Sequence, residues 1–307
     1  MPNTLAHFGA QGFLNRFALP SVDPKIVCLG CLLPDVPWIV QRLTKIVYPA
    51  MDPYTLRLYV VVQASLLVTL LLCGAIASLA SSPSTIFGIL GANAVIHLLF
   101  DSLQIKWANG VHLFAPFSWE LLTVGWFWPE SFPTYLLTAM GLGYVGWQWN
   151  RGIHFPWPFR TPTWPRMAWC LVFLAGYLCL PVLWLHGPLA YDNHFVRTLR
   201  DGEARTGKLV EFDRNRYVRR PEGDVLRTFA GEELFIANPP EVRSGLVSVK
   251  GRFVNPHTIR ILDIHDHSWW FRDGSTVLGI VLLLGMWLKS LYSMVMRPFR
   301  LSNEDGR

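Results

Sequence analysis

Long apolar stretches with almost no charge recur along this chain. A helix that crosses a membrane needs about 20 mostly apolar residues, and five segments meet or approach that length: residues 56–80, 85–100, 132–149, 167–186 and 275–296. They contain only two charged residues, Arg57 near the start of the first and Lys289 in the last, whose ammonium group can reach the interface. This pattern predicts several transmembrane helices.

Two further apolar stretches are interrupted by prolines and acidic residues. Residues 26–40 contain Asp35 between Pro34 and Pro37, so we expect a bent, half-inserted helix instead of a straight span. Residues 111–128 contain a proline and a glutamate among aromatic residues. Aromatic residues concentrate where membrane meets water, so this stretch is predicted to be an interfacial segment.

The pattern changes between residues 191 and 273, where charged and turn-forming residues become frequent. Apolar and polar residues alternate there with a period of two, in residues 208–212, 246–254 and 258–264. Such alternation predicts a small antiparallel β-domain that can close into a barrel. The fold class expected is therefore a polytopic α-helical membrane protein with a small extracytoplasmic all-β domain.

The chain divides by these patterns into four parts. Residues 1–54 form an N-terminal amphipathic and re-entrant segment, and residues 55–190 form a transmembrane helical domain. The β-domain follows at residues 191–273, and residues 274–307 provide a final transmembrane helix and a basic tail.

Composition supports the assignment to a membrane protein, and the distribution of charge predicts its orientation across the membrane. Of the 307 residues, 51% are hydrophobic and 16% are charged, below the quarter that is usual for soluble domains. The loop before residue 167 and the tail after the last span are rich in arginine: Arg151, Arg160, Arg166, Arg297 and Arg300. The positive-inside rule places them in the cytoplasm and the β-domain outside. If residues 26–40 cross the membrane fully, His7 and His97 are expected on opposite faces.

The net charge of +6 raises the question of a nucleic-acid partner. The basic run at Arg214, Arg216, Arg219 and Arg220 has no interleaved aromatic residues and no binding motif. We therefore expect it to face lipid headgroups, with the bilayer as the partner and no nucleic acid.

The five cysteines give little sign of a disulfide scaffold. None lies within residues 191–273, so disulfides do not build the β-domain. Cys28 and Cys31 form a C-x-x-C motif, which can bind metal or carry redox chemistry. Their apolar surroundings favour the interpretation that both are small buried side chains.

Three acidic or imidazole side chains stand in apolar surroundings. His97 and Asp101 are four residues apart, so a helix points both the same way, either as metal ligands or as a hydrogen-bonded pair at a helix end. Asp35 must be paired, protonated or bound to a cation. It is also placed to cap a helix that begins at Val36.

Two other groups of histidines are candidates. His7 opens an amphipathic stretch that continues to Phe17, where a single histidine is usually structural. Asp263, His265 and His267 would share one face of a strand. They are interpreted either as a metal or headgroup site or as an interfacial anchor next to aromatic residues.

Four motifs occur in one order within residues 4–118: T-x-x-H at 4–7, G-x-x-x-P-D at 30–35, H-x-x-x-D at 97–101 and G-V-x-L-x-x-P-F-S at 110–118. With the fourth read as Gly-Val-His-Leu-Phe-Ala-Pro-Phe-Ser, this series resembles the bacterial inner-membrane-bound metal-dependent hydrolase family. That family is distantly reminiscent of zinc-dependent phospholipases C. Its H-R-x-x-T-H-S motif is missing here, because the chain has no histidine between His7 and His97.

The resemblance implies a divalent metal ion, zinc or alternatively manganese, held by His7, Asp35, His97 and Asp101, with His112 as a further candidate ligand. Asp35 and Asp101 would be the catalytic carboxylates. The implied function is hydrolysis of a lipid or lipid-linked substrate at the membrane face. The alternative is a non-catalytic membrane protein whose β-domain binds a partner or an envelope polymer.

Overall fold

A bundle of helices makes up most of the protein, and a small barrel is inserted before the last helix. The computed structural model describes residues 3–19, 21–267 and 269–304. The helices are α1 Thr4–Ala18, α2 Pro24–Leu32, α3 Val36–Val47, α4 Pro53–Gln63, α5 Leu66–Ser78, α6 Pro83–Ser102, α7 Phe132–Gln148, α8 Arg151–His154, α9 Trp164–Leu183, α10 His186–Ala190, α11 Val196–Arg200 and α12 Trp269–Glu304.

Within the described residues, four helical stretches are long and apolar enough to cross a membrane: Pro24–Val47, Pro83–Ser102, Trp164–Ala190 and Trp270–Met296. A fifth is added if the bent pair α4 and α5 counts as one span. Helix α7, predicted as a span at residues 132–149, has 17 residues and is about 25 Å long at 1.5 Å per residue. The helical part of the predicted fold class is thus confirmed at the level of helices that can cross a membrane.

The single continuous helix predicted at residues 56–80 is wrong, because the helix breaks after Gln63, and a span made of the bent pair stays a prediction. Helices α4 and α5 meet at an angle of 69°. Ser65 is extended (φ −68°, ψ 155°) and starts α5. The Leu66 amide donates to the carbonyl of His112 at 3.2 Å, so a neighbouring loop takes up a backbone donor freed by the break.

The strong bend predicted for residues 26–40 is also wrong, whereas the half-inserted placement stays a prediction. Helices α2 and α3 join through a 3₁₀ turn, Leu33–Asp35, into one stretch of 24 residues. Pro34 stands in that turn and Pro37 in the first turn of α3. A proline in a first turn removes no hydrogen bond, because the amide there has no partner within the helix.

The loop between α6 and α7 contains the predicted interfacial segment. It is held by two isolated β-bridges, Gln104 with Phe127 and Val111 with Leu122. Phe117 and Trp126 are exposed at 94% and 72%. Exposed aromatic rings are typical of the membrane–water interface, and contact with lipid stays a prediction.

The predicted β-domain is confirmed as a closed five-stranded barrel. Its strands are β1 Leu209–Val218, β2 Val225–Arg227, β3 Glu233–Ile236, β4 Gly245–Asn255 and β5 Thr258–His267, in the order β1-β2-β3-β5-β4. All neighbouring pairs are antiparallel except β3 and β5, which are parallel. Alternate residues such as Val210, Phe212 and Tyr217 fill the interior.

A β-bulge in β1 changes which residues face inward. The pairing of β1 with β4 shifts between Phe212 and Asn215, and Arg214 adopts the left-handed conformation (φ 53°). After the bulge, Asn215 and Tyr217 are buried instead of the even-numbered residues. Bulges re-aim side chains in this way, and here Asp213 and Arg214 turn towards the helical bundle.

Candidate metal centre

Helix α1 runs back against α2 and α3, and this hairpin brings His7 and Asp35 to one level. The turn between the helices is short, and the two residues are a similar number of positions from it. The Cys31 thiol lies 3.9 Å from the His7 carbonyl oxygen. The expectation that a full span at 26–40 separates His7 from His97 is therefore wrong, because α1 returns along the same stretch of the bundle.

Helix α6 packs beside this hairpin and contributes His97 and Asp101. Asn15 of α1 donates to Asn93 of α6 at 2.9 Å, which fixes the two helices against each other. Gly30 of α2 permits the close approach of α2 to α6, because a Cβ at Gly30 would lie 2.9 Å from the Cβ of Asn93. His97 and Asp101 follow Asn93 on the inner face of α6 and are both buried.

Four of the predicted ligands converge at this junction. The rings of His7 and His97 stack with centroids 3.7 Å apart. His7 Nε2 lies 3.4 Å from Asp101 Oδ1, and His97 Nε2 lies 3.3 Å from Asp35 Oδ1. Ligand atoms of His7, His97 and Asp101 all lie within 4.8 Å of one another. All four residues are at most 6% exposed.

The facing atoms of these four side chains have no hydrogen-bond partner. They are His7 Nε2, His97 Nε2, Asp35 Oδ1 and Asp101 Oδ1. Leaving buried polar atoms unpaired is costly, and one bound ion could serve as the partner of the close group formed by His7, His97 and Asp101. Two ligands about 2.05 Å from a tetrahedral zinc ion are about 3.3 Å apart. The observed spacings of 3.3 and 3.4 Å match that value.

The Nδ1 atoms of both histidine rings have hydrogen-bonding partners elsewhere in the bundle. His97 Nδ1 lies 2.7 Å from the Cys31 carbonyl oxygen and donates to it, so in the neutral imidazole Nε2 is unprotonated, as a ligand must be. His7 Nδ1 lies 3.1 Å from the Gln11 amide. With that amide turned by 180°, Gln11 Oε1 accepts from Nδ1 and His7 takes the same tautomer.

The charge around the site favours a divalent cation. Lys106 Nζ lies 3.1 Å from Asp101 Oδ2 and is 3% exposed, so it balances one of the two carboxylates. Asp35 occupies the N-cap position of α3 as predicted, but its side chain makes no capping hydrogen bond. The capping interpretation therefore leaves the buried charge of Asp35 unexplained, whereas a bound cation compensates it.

His112 lines the same small cavity as Asp35, His97 and Asp101. Neither of its ring nitrogens has a hydrogen-bond partner. Burial lowers the pKa of His112 to about 4, so its imidazole is neutral at physiological pH. It is not part of the close group formed by His7, His97 and Asp101, and its role as a ligand stays a prediction.

Several residues of this region carry no sequence signal that reveals them. Gln11, one turn after His7, Lys106 and the carbonyl of Cys31 belong to the site only through packing. Cys28 and Cys31 are free and buried, as the sequence suggests. His194 is buried in the left-handed conformation (φ 56°), and its Nε2 is also unpaired.

A second group joins the loop before α7 to the barrel and consists of Glu130, His265 and His267. His267 Nδ1 lies 3.0 Å from Glu130 Oε2, and its Nε2 lies 2.8 Å from Ser248 Oγ. Arg214 donates to the other Glu130 oxygen at 2.8 Å. Asp263 is exposed and lies outside this group.

The ligand atoms of Glu130, His265 and His267 are close enough to hold an ion. However, both ring nitrogens of His267 are already occupied, and Arg214 compensates the Glu130 charge. His265 stacks on Trp128 at 3.6 Å. The geometry favours an ion-pair network that fastens the loop to the barrel.

The Glu130→Gln variant is expected to loosen this contact in a pH-dependent manner. Burial alone would raise the pKa of Glu130, but His267 and Arg214 outweigh it and hold the pKa below the ordinary value of 4.5. A lowered carboxyl pKa stabilises the fold above pH 4.5, and this contribution is lost as the pH falls through the lowered value. Thermal unfolding should therefore show a deficit at pH 7 that shrinks below pH 4.5. Glu120→Gln, an exposed change in the same loop, should behave like the wild type; an equal deficit at every pH would contradict the ion pair.

No model of a protein family, no curated protein and no solved structure matches the chain.

Proposed function

We propose that this protein is a membrane-bound metal-dependent hydrolase, or a relative of one, with a divalent ion held by His7, Asp35, His97 and Asp101. Zinc is the proposed ion, with manganese as the alternative. The observation that supports the proposal most strongly is that buried ligand atoms of His7, His97 and Asp101 lie within 4.8 Å of one another, with Asp35 Oδ1 3.3 Å from His97 Nε2. The motif resemblance adds the reaction class.

The proposed chemistry is metal-assisted hydrolysis. A bound divalent ion lowers the pKa of water and polarises the scissile group. The two histidines and two carboxylates would hold the ion, and an oxygen of Asp35 or Asp101 that does not bind the ion would accept the proton of the attacking water. Lys106 keeps the charge of Asp101 compensated, and His112 lines the cavity beside the carboxylates.

The proposed location is the bacterial inner membrane, with the barrel outside and the C-terminus in the cytoplasm. Lys25 donates to the carbonyl oxygen of Gly152, and Arg166 donates to that of Ala80 at 3.0 Å. The basic residues of the N-terminal hairpin turn and of the loop before α9 thus collect at one end of the bundle. The metal centre and barrel lie towards the other end, which supports a lipid or lipid-linked substrate at the outer face.

The second candidate is a non-catalytic protein whose barrel binds a partner or an envelope polymer. The observation that favours it is the absence of the H-R-x-x-T-H-S motif. Gln63, in the corresponding region, donates to the Tyr59 hydroxyl at 3.4 Å. In this case the four converging residues would serve structure alone.

The Asp35→Asn variant separates the two candidates. The amide keeps the size of the side chain but removes a buried charge, so the purified full-length variant should lose its metal. Metal-free variant should be at least as stable as metal-free wild type, because an unpaired buried carboxylate is costly. A chelator should lower the melting temperature of the wild type and leave that of the variant unchanged.

Elemental analysis and thermal unfolding in detergent check both points. Asp201→Asn, an exposed carboxylate near the barrel, is the matched control and should retain the metal and the chelator response. Wild-type protein without metal, together with a less stable Asp35→Asn variant, would show that Asp35 and His97 form a structural pair.

A further inference from the structure

A strongly basic cavity lies where the helix ends meet the barrel. Its volume is about 300 Å³. Five cationic side chains line it, contributed by three separate helices and strand β1: Arg42, Lys45, Arg57, Arg214 and Arg272. Among the described residues, two carboxylates, Asp213 and Asp273, face the same space. We refer to it below as the basic cavity.

Three buried nitrogen donors on its walls have no hydrogen-bond partner. They are Gln41 Nε2, Arg57 Nε and Arg214 Nη2. The Gln41 residue is 5% exposed and the Arg214 side chain 8% exposed. Buried donors without acceptors are costly, so the basic cavity lacks an acceptor-rich partner. A phosphate group has several anionic oxygens and matches the planar fork of arginine.

The two arginines are held in place by the fold. The Arg57 guanidinium lies 4.4 Å from the ring centroid of Phe229 and 5.5 Å from that of Trp38, so it packs between two aromatic rings. Arg214 is turned inward by the bulge in β1, and its Nη1 binds Glu130. Its Nη2 is left directed at the basic cavity.

The two carboxylates already have partners. Asp213 accepts hydrogen bonds from Asn109 at 3.2 Å and from Ser248 at 3.1 Å. Asp273 lies 3.8 Å from Arg42. The remaining charge of the basic cavity is positive, which favours an anionic ligand.

The basic cavity adjoins the metal centre and an apolar groove. Trp38 and Asn109 line both the basic cavity and the small cavity that contains Asp35, His97 and Asp101. On its other side, Asp273 begins a groove along α12. The groove continues over Val277 and Val281, which are exposed at 61% and 57% within a helix apolar enough to cross a membrane.

We propose that the basic cavity binds the phosphate group of an anionic lipid, whose acyl chain lies in the groove along α12. This inference rests on the proposed function in one respect, because it places the phosphate beside the proposed metal ion as the substrate's headgroup. Binding of the phosphate depends on the arginines alone. Inorganic phosphate shares this chemistry, and the apolar groove favours the lipid as its source.

The test uses full-length protein in detergent, in zinc-loaded and in metal-stripped form. Binding of inorganic phosphate is measured by calorimetry, and binding of phosphatidate from mixed micelles with phosphatidylcholine is measured by native mass spectrometry. Arg57→Gln and Arg214→Gln should each weaken both by about tenfold or more, since each removes a charged hydrogen-bond donor. Arg260→Gln, an exposed change on β5, is the matched control and should bind like the wild type.

The outcomes discriminate between the sources and between the two proposals. Phosphatidate binding that inorganic phosphate displaces, in metal-stripped protein, supports the inference. Binding of inorganic phosphate alone overturns the lipid assignment, and binding that both variants retain overturns the site. Wild-type protein that binds phosphatidate but never contains metal keeps this inference and overturns the proposed hydrolase. Protein that contains metal but binds neither inorganic phosphate nor phosphatidate overturns this inference and leaves the proposed hydrolase standing.

Discussion

Replacing His97 by alanine is expected to reduce the metal content of the purified protein from about one ion per chain to almost none. His97 supplies an unpaired imidazole nitrogen to the close group that it forms with His7 and Asp101, and its Nδ1 is fixed by the Cys31 carbonyl. Without it, Asp35 has no close ligand partner, and His7 and Asp101 alone cannot complete a tetrahedral site. Elemental analysis of protein purified in detergent measures the change.

Two controls make this result specific. His257→Ala removes an exposed histidine of the barrel, 70% exposed, and should leave the metal content unchanged. His97→Gln retains a polar side chain for the Cys31 carbonyl and helps the variant to fold. Full metal content in a folded His97 variant would overturn the proposed centre.

Replacing Gly141 by alanine is expected to destabilise the bundle by roughly 3 kcal/mol, the upper part of the usual range for overpacking. A Cβ at Gly141 would overlap the backbone carbonyl of Leu5, so α1 must move away from α7. The hydrogen bond between Asn3 and Thr138, at 2.9 Å, would weaken with it. Because His7 lies close to Leu5 on α1, metal affinity should fall as well.

Gly143 on the same helix provides the control, because a Cβ there meets nothing within 4 Å. Gly143→Ala should keep the stability and the metal content of the wild type. Chemical denaturation and metal titration of both variants measure the two effects. Equal behaviour of Gly141→Ala and Gly143→Ala would show that α1 and α7 do not need their close contact.

Part of the fold follows from local patterns in the sequence. Apolar length and two-residue alternation are local properties, so helices able to cross a membrane and the strands of the barrel can be predicted from them. A proline leads to a wrongly predicted bend when its position within a helical turn is unknown. Pro34 and Pro37 stand where a helix loses no hydrogen bond, and the break in residues 56–80 depends instead on the distant His112 carbonyl.

The candidate site likewise has features that follow from local spacing and features that depend on tertiary packing. The i, i+4 spacing of His97 and Asp101 places both on one helix face whatever the rest of the chain does. Their meeting with His7 and Asp35 depends on the hairpin of α1 and α2 and on the close approach at Gly30. Nothing in the spacing indicates that Lys106 pairs with Asp101.

The sequence by itself determined the element types, the β-domain and four residues of the candidate metal centre, because helical and strand periodicity and short motifs act over a few residues. Only the tertiary structure decided that these four converge and that Arg57 and Arg214 face one cavity. The physical reason is that such meetings are set by helix packing and by a bulge in a strand. Both depend on contacts between residues far apart in the chain.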